Sequence, residues 1–333
     1  MRGWMSIKQS GHNVLFYSAR LRPRDNNVRP DRGAALRPRS VGVPRCCAKV
    51  FVSDQCRIGS FYAFILSRSD RVRLTVVART WLTVVKSPAE APKMDYIVCA
   101  HKAIDQDGVA AQLQPVVDDT RSTIVIIQNG VGNEEPFRRK FPQCSILTCV
   151  TSPGIVKHTK SEDMQIGLFP NSQVDEKVER QRLERFADLL HHGQTRFQIL
   201  EDMQRQRWEK VVWNAAWNSL TTLTMVDTQT WLHSSEDATP FTRQVMREVI
   251  NIGRGCGVSL TEDLIDQLMG KINAMPGIGS SMQTDCKNGR PMEIDVILGF
   301  PVRKSRELGI SAPFLETLYV ILRAIDGRLK AAL

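Results

Sequence analysis

On an α-helix, Lys210, Asn214, Asn218 and Thr221 fall into one narrow stripe, each a surface neighbour of the next. The stretch that carries them, RQRWEKVVWNAAWNSLTT from Arg205 to Thr222, has no Pro or Gly and is rich in helix formers, so a helix is predicted. Trp208, Val211, Val212, Trp213, Ala215, Ala216, Trp217 and Leu220 fill most of the remaining circumference, which predicts burial on most sides. An ammonium and two carboxamides on such a helix need partners, because desolvating one unpaired neutral amide costs on the order of 2–7 kcal/mol. A bound polar ligand meets that need; so does solvent or neighbouring backbone, and the spacing alone admits both. Three other positions invite chemistry. Glu293 stands at the start of a predicted helix among Ile294, Val296, Ile297, Leu298 and Phe300, either as an N-terminal charge or as an acceptor for a ligand hydroxyl. Gly59 closes the turn Asp54-Gln55-Cys56-Arg57-Ile58-Gly59 in the frame of a GxGxxG phosphate loop, of which only the third glycine is present. Arg79 follows a predicted strand twenty residues later, where an acid would hold an NAD ribose and an Arg suits the 2'-phosphate of NADP, unless it is simply solvated.

The elements that must position these residues alternate. Short apolar runs at 50–53, 73–78, 95–100, 123–128 and 145–150 predict strands. Helix-compatible stretches lie at 58–67, 106–117 and 134–141. Strands apolar on both faces between helices predict a parallel sheet covered on both sides, a doubly wound α/β domain. Ligands of such sheets bind beyond the carboxyl ends of the strands, which places Arg79, His101, Lys102 and the Asn129-Gly130-Val131-Gly132 turn on one rim. Residues 152–170 predict a β-hairpin, 174–191 an amphipathic helix and 196–200 a last strand. From 201 the pattern is helical, with helices predicted at 203–224, 239–255, 261–269, 292–308 and 312–329. The expected domains are therefore 48–200 and an all-α 201–333.

Of the formal net charge of +10, nine units fall in residues 1–50, where nine Arg and two Lys face only Asp25 and Asp31. The remainder is nearly neutral and has no electrostatic footprint for nucleic acid. Residues 1–47 are Arg- and Pro-rich and predict a disordered basic extension, a solvated tail or a mitochondrial transit segment. No apolar run approaches the ~20 residues that cross a bilayer, so a soluble chain, cytoplasmic or mitochondrial, is expected. The eight Cys form no CxxC and the six His show no ligand spacing, so no metal is expected and the thiols read as reduced.

Six stretches resemble the ketopantoate reductase (2-dehydropantoate 2-reductase) family: IGSFYA at 58–63, VARTW at 77–81, HKA at 101–103, QNGVGNEE at 128–135, WEKVVWNAAWNSLT at 208–221 and SSMQTDCKNGRPMEIDVILGF at 280–300. The resemblance implies a Rossmann-like NADPH domain followed by a helical domain, and NADPH-dependent reduction of 2-dehydropantoate to (R)-pantoate on the way to pantothenate and coenzyme A. It implies a catalytic role for Lys210, as proton donor to the ketone oxygen, and for Glu293, as acceptor of the substrate hydroxyl. Asn214, Asn218, Ser281 and Asn129 are implied to hold substrate, and Gly59, Arg79, Lys102 and Asn129 to hold the cofactor. A small 2-oxo acid is the implied partner, and a homodimer is admitted. Asp54 and Cys56 depart from the family at the first two glycines, where a carboxylate repels a pyrophosphate and a Cβ blocks its approach. A ketoreductase for another 2-oxo acid or a secondary-metabolite ketone, or a non-catalytic relative, are the alternatives.

Overall fold

The computed structural model describes residues 3–9, 12–18, 82–85, 87–151, 164–193 and 195–331, the first three segments as backbone only. The elements predicted at 50–53, 58–67 and 73–78 lie outside the described residues, as do Gly59, Arg79 and the Asp54–Gly59 turn. The chain divides into two units, 1–101 with 107–127 and 137–200, and 102–106 with 128–136 and 201–333.

Among the described residues, the first unit is an α/β unit on an eight-stranded sheet. Strands β1 (Gly3–Gln9), β2 (His12–Ser18), β3 (Leu82–Val85), β4 (Tyr96–Cys99), β5 (Thr123–Ile127), β6 (Ser145–Thr151), β7 (Met164–Phe169) and β8 (Phe197–Ile199) lie in the order β3-β1-β2-β4-β5-β6-β7-β8. β2, β4, β5 and β6 run parallel. The sheet as a whole is mixed rather than parallel as predicted, because β1 pairs antiparallel with β2 and β3, and β7 antiparallel with β6. In the central strands, successive residues serve opposite faces. Ile97, Cys99, Ile124, Ile126 and Ile146 pack with Val109 of α1 (Gln106–Gln112) and Phe137 of α2 (Glu135–Lys140). Tyr96, Val98, Val125, Leu147 and Cys149 pack with Leu183, Phe186 and Leu190 of α3 (Glu176–His192). This is the two-sided burial expected of strands without a polar face. Burial pushes the Cys99 thiol up to about 12 and makes it a packing group.

Within 1–47, expected as a disordered extension, the described stretches form β1 and β2 of the sheet; 19–47 lie outside the described residues. The physical cause is local. GWMSIKQ and HNVLFYS are two strand-length runs separated by Ser10-Gly11, a hairpin signal that the surrounding Arg and Pro density hides when the whole segment is averaged.

The second unit is helical. It holds α4 (Met203–Thr224), α5 (Thr228–Leu232), α6 (Ala238–Gly255), α7 (Asp263–Asn273), α8 (Ser281–Lys287), a wide π-turn at Asp295–Gly299 running into α9 (Phe300–Leu308), and α10 (Pro313–Ala331). α4 has the predicted bounds. The Asp202 carboxylate accepts the Arg205 N–H at 3.0 Å to start it, and Met225 in the left-handed conformation (φ 60°) ends it. Its apolar faces meet Val245, Met246, Val249 and Ile250 of α6 and Met282 of α8, with Trp213 and Trp217 edge to face at 5.9 Å. Burying each such side chain contributes roughly 1.5–3 kcal/mol. Among the described residues no helix is long and apolar enough to cross a membrane.

Candidate active site

Two short segments predicted to belong with the sheet, 102–106 and 128–136, cluster with the helical unit instead. Each follows the carboxyl end of a central parallel strand, β4 and β5, the rim named from sequence. Glycine lets the second segment pack this closely. Gly130 (φ 95°) and Gly132 (φ 74°) are left-handed, and a Cβ on the first would stand 2.6 Å from the Val296 side chain and carbonyl. A Cβ on the second would strike the Phe300 ring. The Val296 carbonyl lies in the π-turn and accepts the Val131 N–H at 2.9 Å.

Within this unit, hydrogen bonds and an ion pair join three of the sequence-predicted residues, Glu293, Asn129 and Lys102, to one another or to neighbouring segments. Glu293 stands just before the helical segment rather than on it, half-buried. Its Oε1 accepts the Ala103 N–H at 3.0 Å and its Oε2 accepts Asn129 Nδ2 at 3.5 Å. Lys102, the residue before Ala103, forms an ion pair with Asp285, which also receives Arg290 Nε at 2.8 Å. Asp285 lies four residues beyond Ser281 on α8 and therefore on the same face. α8 in turn is fixed to α4. Thr221 Oγ1 donates to Ser280 Oγ at 2.8 Å, Ser280 Oγ accepts the Gln283 N–H at 3.0 Å, and Gln283 Nε2 donates to the carbonyls of Thr221 and Val226 at 2.9 Å each. The stripe is thereby resolved in part: Thr221 is taken up by this contact, Asn214 and Asn218 are buried, and Lys210 is half-buried. From Lys210 to Asn218 the stripe rises ~12 Å at 1.5 Å per residue, enough to lie along a small organic acid.

Three residues of the site are absent from the sequence-based expectations. Asp285 is one, legible as the residue one turn after Ser281. Arg207 and Glu134 are the others, an ion pair of 2.7 Å with both side chains 1% exposed. Arg207 stands three residues before Lys210, at the spacing that continues the stripe, which is the signal that could have found it. The helical unit therefore carries an ammonium, several amides, a hydroxyl and a carboxylate on segments remote in sequence, residue types suited to holding an oxygen-rich anion and giving it a proton. The five described cysteines, 99, 144, 149, 256 and 286, are free, and none is part of this set.

The family model described as ketopantoate reductase PanE/ApbA matches residues 68–171, and its C-terminal companion matches 202–326. A 2-dehydropantoate 2-reductase of Nostoc sp. is 26% identical over 250 residues, 72% of this chain and 76% of its own. Among solved structures, the 2-dehydropantoate 2-reductase of Methylococcus capsulatus superposes with a TM-score of 0.63 at 27% identity, over 74% of this chain and 79% of its own. A D-mandelate dehydrogenase solved with NADH and anilino(oxo)acetate shares the fold, with a TM-score of 0.60 at 18% identity over 73% of this chain and 80% of its own.

Proposed function

The chain belongs to the ketopantoate reductase family of oxidoreductases, and from that premise we propose that it reduces 2-dehydropantoate to (R)-pantoate with NADPH. One observation carries the proposal: Lys210, Asn214 and Asn218 on α4, Ser281 at the head of α8, and Glu293 with its partners Asn129 and the 103 amide belong to one tied unit. The Lys210 ammonium donates a hydrogen bond to the ketone oxygen and gives up its proton as that oxygen becomes an alkoxide. The Asn214 and Asn218 amides and the Ser281 hydroxyl donate to the substrate carboxylate without adding further charge. Glu293, held in place by the Ala103 N–H, accepts a hydrogen bond from the substrate hydroxyl.

The reduced nicotinamide, when bound, supplies a hydride to C2. On the described side of that site, the donor set fits a hydroxylated, anionic ligand: a Lys102 ammonium 38% exposed and the Asn129 amide. Arg79 and Gly59 complete the assignment from sequence, Arg79 selecting the 2'-phosphate.

Steady-state turnover of the full chain with NADPH and 2-dehydropantoate tests the proposal. Parent activity should fall on the order of 10²–10⁴-fold in kcat for Lys210→Ala, the range of a lost proton donor. Near-parental turnover by that variant would overturn the mechanism. A second reading is an aryl 2-oxo acid reduced with NADH, prompted by the D-mandelate dehydrogenase solved with NADH and anilino(oxo)acetate; greater kcat/KM for that pair would replace the first assignment. Asp54 and Cys56 in the phosphate turn favour a third outcome, a relative that has lost cofactor binding. Fluorescence titration with NADPH in the absence of substrate separates it from the other two.

A further inference from the structure

We propose that Arg207, paired with Glu134, is the positioning residue that sets Asn129 relative to Lys210; the inference rests on the assignment of those two residues to the active site above. One amino nitrogen of Arg207, Nη1, donates to the carbonyl of Gln128 at 3.0 Å and to that of Gly130 at 2.9 Å, the residues on either side of Asn129. Its Nε pairs with Glu134 Oε1 at 2.7 Å, and Gln204 Nε2 reaches the same oxygen at 3.4 Å. The guanidinium thus grips the loop before Asn129, after it, and at its far end. Inside the loop, Asn133 Nδ2 donates to the Asn129 carbonyl at 2.8 Å, and Gln106 Nε2 donates to Gln128 Oε1 at 2.8 Å.

Stability alone gives a weak account of such a pair. Both ions are 1% exposed, and replacing a buried ion pair with apolar side chains of similar volume is often neutral or stabilising. What apolar side chains cannot supply is direction. A guanidinium is a planar, rigid fork of five donors, and here it is borne by the same helix as Lys210, one turn away. The carbonyls that bracket Asn129 are therefore referenced to the helix that carries the proton donor, and Asn129 itself meets the Glu293 carboxylate. A lysine at 207 keeps the charge and can answer Glu134, but its single point charge cannot bracket the loop.

The test compares the full-length parent with Arg207→Lys and with the double variant Arg207→Met, Glu134→Leu, by amide hydrogen exchange without ligand, thermal unfolding, and steady-state kinetics. In both, amides 129–133 should exchange about tenfold faster or more, the loss of at least one charge-assisted hydrogen bond, while α6 amides keep the parent rate. The double variant should unfold within a few degrees of the parent. With 2-dehydropantoate, kcat/KM should fall by about tenfold or more, and adding Asn129→Ala to either variant should cost much less than Asn129→Ala costs the parent, because both changes remove one function. Loop exchange at the parent rate, fully multiplicative kinetic effects, or faster exchange spread over the whole helical unit with a lowered melting temperature would overturn the proposal. If the parent reduces no 2-oxo acid, the functional assignment fails on that result, while the exchange comparison still decides whether Arg207 sets the loop. Should the double variant not fold, Arg207→Lys carries the same comparison.

Discussion

Gly130→Ala is the substitution whose cost the structure resolves into parts. The residue is left-handed at φ 95°, and placing an L side chain there costs roughly 1–2 kcal/mol. The new Cβ would stand 2.6 Å from the Val296 carbonyl oxygen as well as from its side chain, and backbone cannot step aside as a flexible side chain can. Forced overpacking of that kind costs about 1–3 kcal/mol. Relief by moving the loop would break the Val131 N–H to Val296 carbonyl bond, a further ~1 kcal/mol. The expected total is about 3–6 kcal/mol. Gly309 provides the control, because it ends α9 in the same conformation (φ 67°) with nothing within 4 Å of an added Cβ; Gly309→Ala should cost only the conformational part, about 1–2 kcal/mol. Urea unfolding followed by tryptophan fluorescence reads the difference, since four of the six Trp (208, 213, 217 and 231) lie in the helical unit. Equal destabilisation by the two substitutions would refute the close packing of the loop on the π-turn, and with it the placement of Asn129 beside Glu293.

Glu293→Gln should raise KM for a hydroxylated 2-oxo acid by about tenfold to a hundredfold, the worth of a hydrogen bond to a charged acceptor, and far less for an analogue lacking the hydroxyl; equal effects on both substrates would remove Glu293 from substrate recognition. Glu248 is buried under the start of α10, where its carboxylate accepts the N–H groups of Leu315 at 2.8 Å and Phe314 at 3.3 Å, and burial outweighs those bonds and holds its pKa above the ordinary 4.5. The folded chain therefore keeps a proton that the unfolded chain has lost, so stability should fall as pH rises from 4.5 through the folded pKa and level off above it. Glu248→Gln should flatten that part of the profile, and an unchanged slope in urea unfolding against pH would assign it to another group. Deleting residues 1–18 removes β1 and β2, leaving β3 without its partner and baring the edge of β4. Lower urea stability and increased light scattering are expected, and a truncated chain as stable and soluble as the parent would take those strands out of the sheet.

What could be seen in the sequence follows how local each signal is. The bounds of α4 are legible because its apolar arc, its cap at Asp202 and the absence of Gly or Pro all lie within the helix itself. The central strands are legible for the same reason: residues 96–99 or 124–127 are apolar at every position, and only two-sided burial accommodates that. α5 and α8 are too short for periodicity to declare them, and their caps, Asp227 and Ser280, act over three residues. The β1–β2 hairpin is hidden by averaging, since each of its runs spans seven residues and the basic composition around them spans nearly fifty. Arg207 marks the limit. A helical wheel puts it in the stripe with Lys210, yet an Arg there reads as a solvated charge until the carbonyl of Gly130, seventy-seven residues away, is brought to its amino group. No periodicity encodes a contact of that span. The clue available is the pair of glycines at 130 and 132, which say that the loop must press against something, and the polar stripe on α4, which needs a partner as unusual as itself.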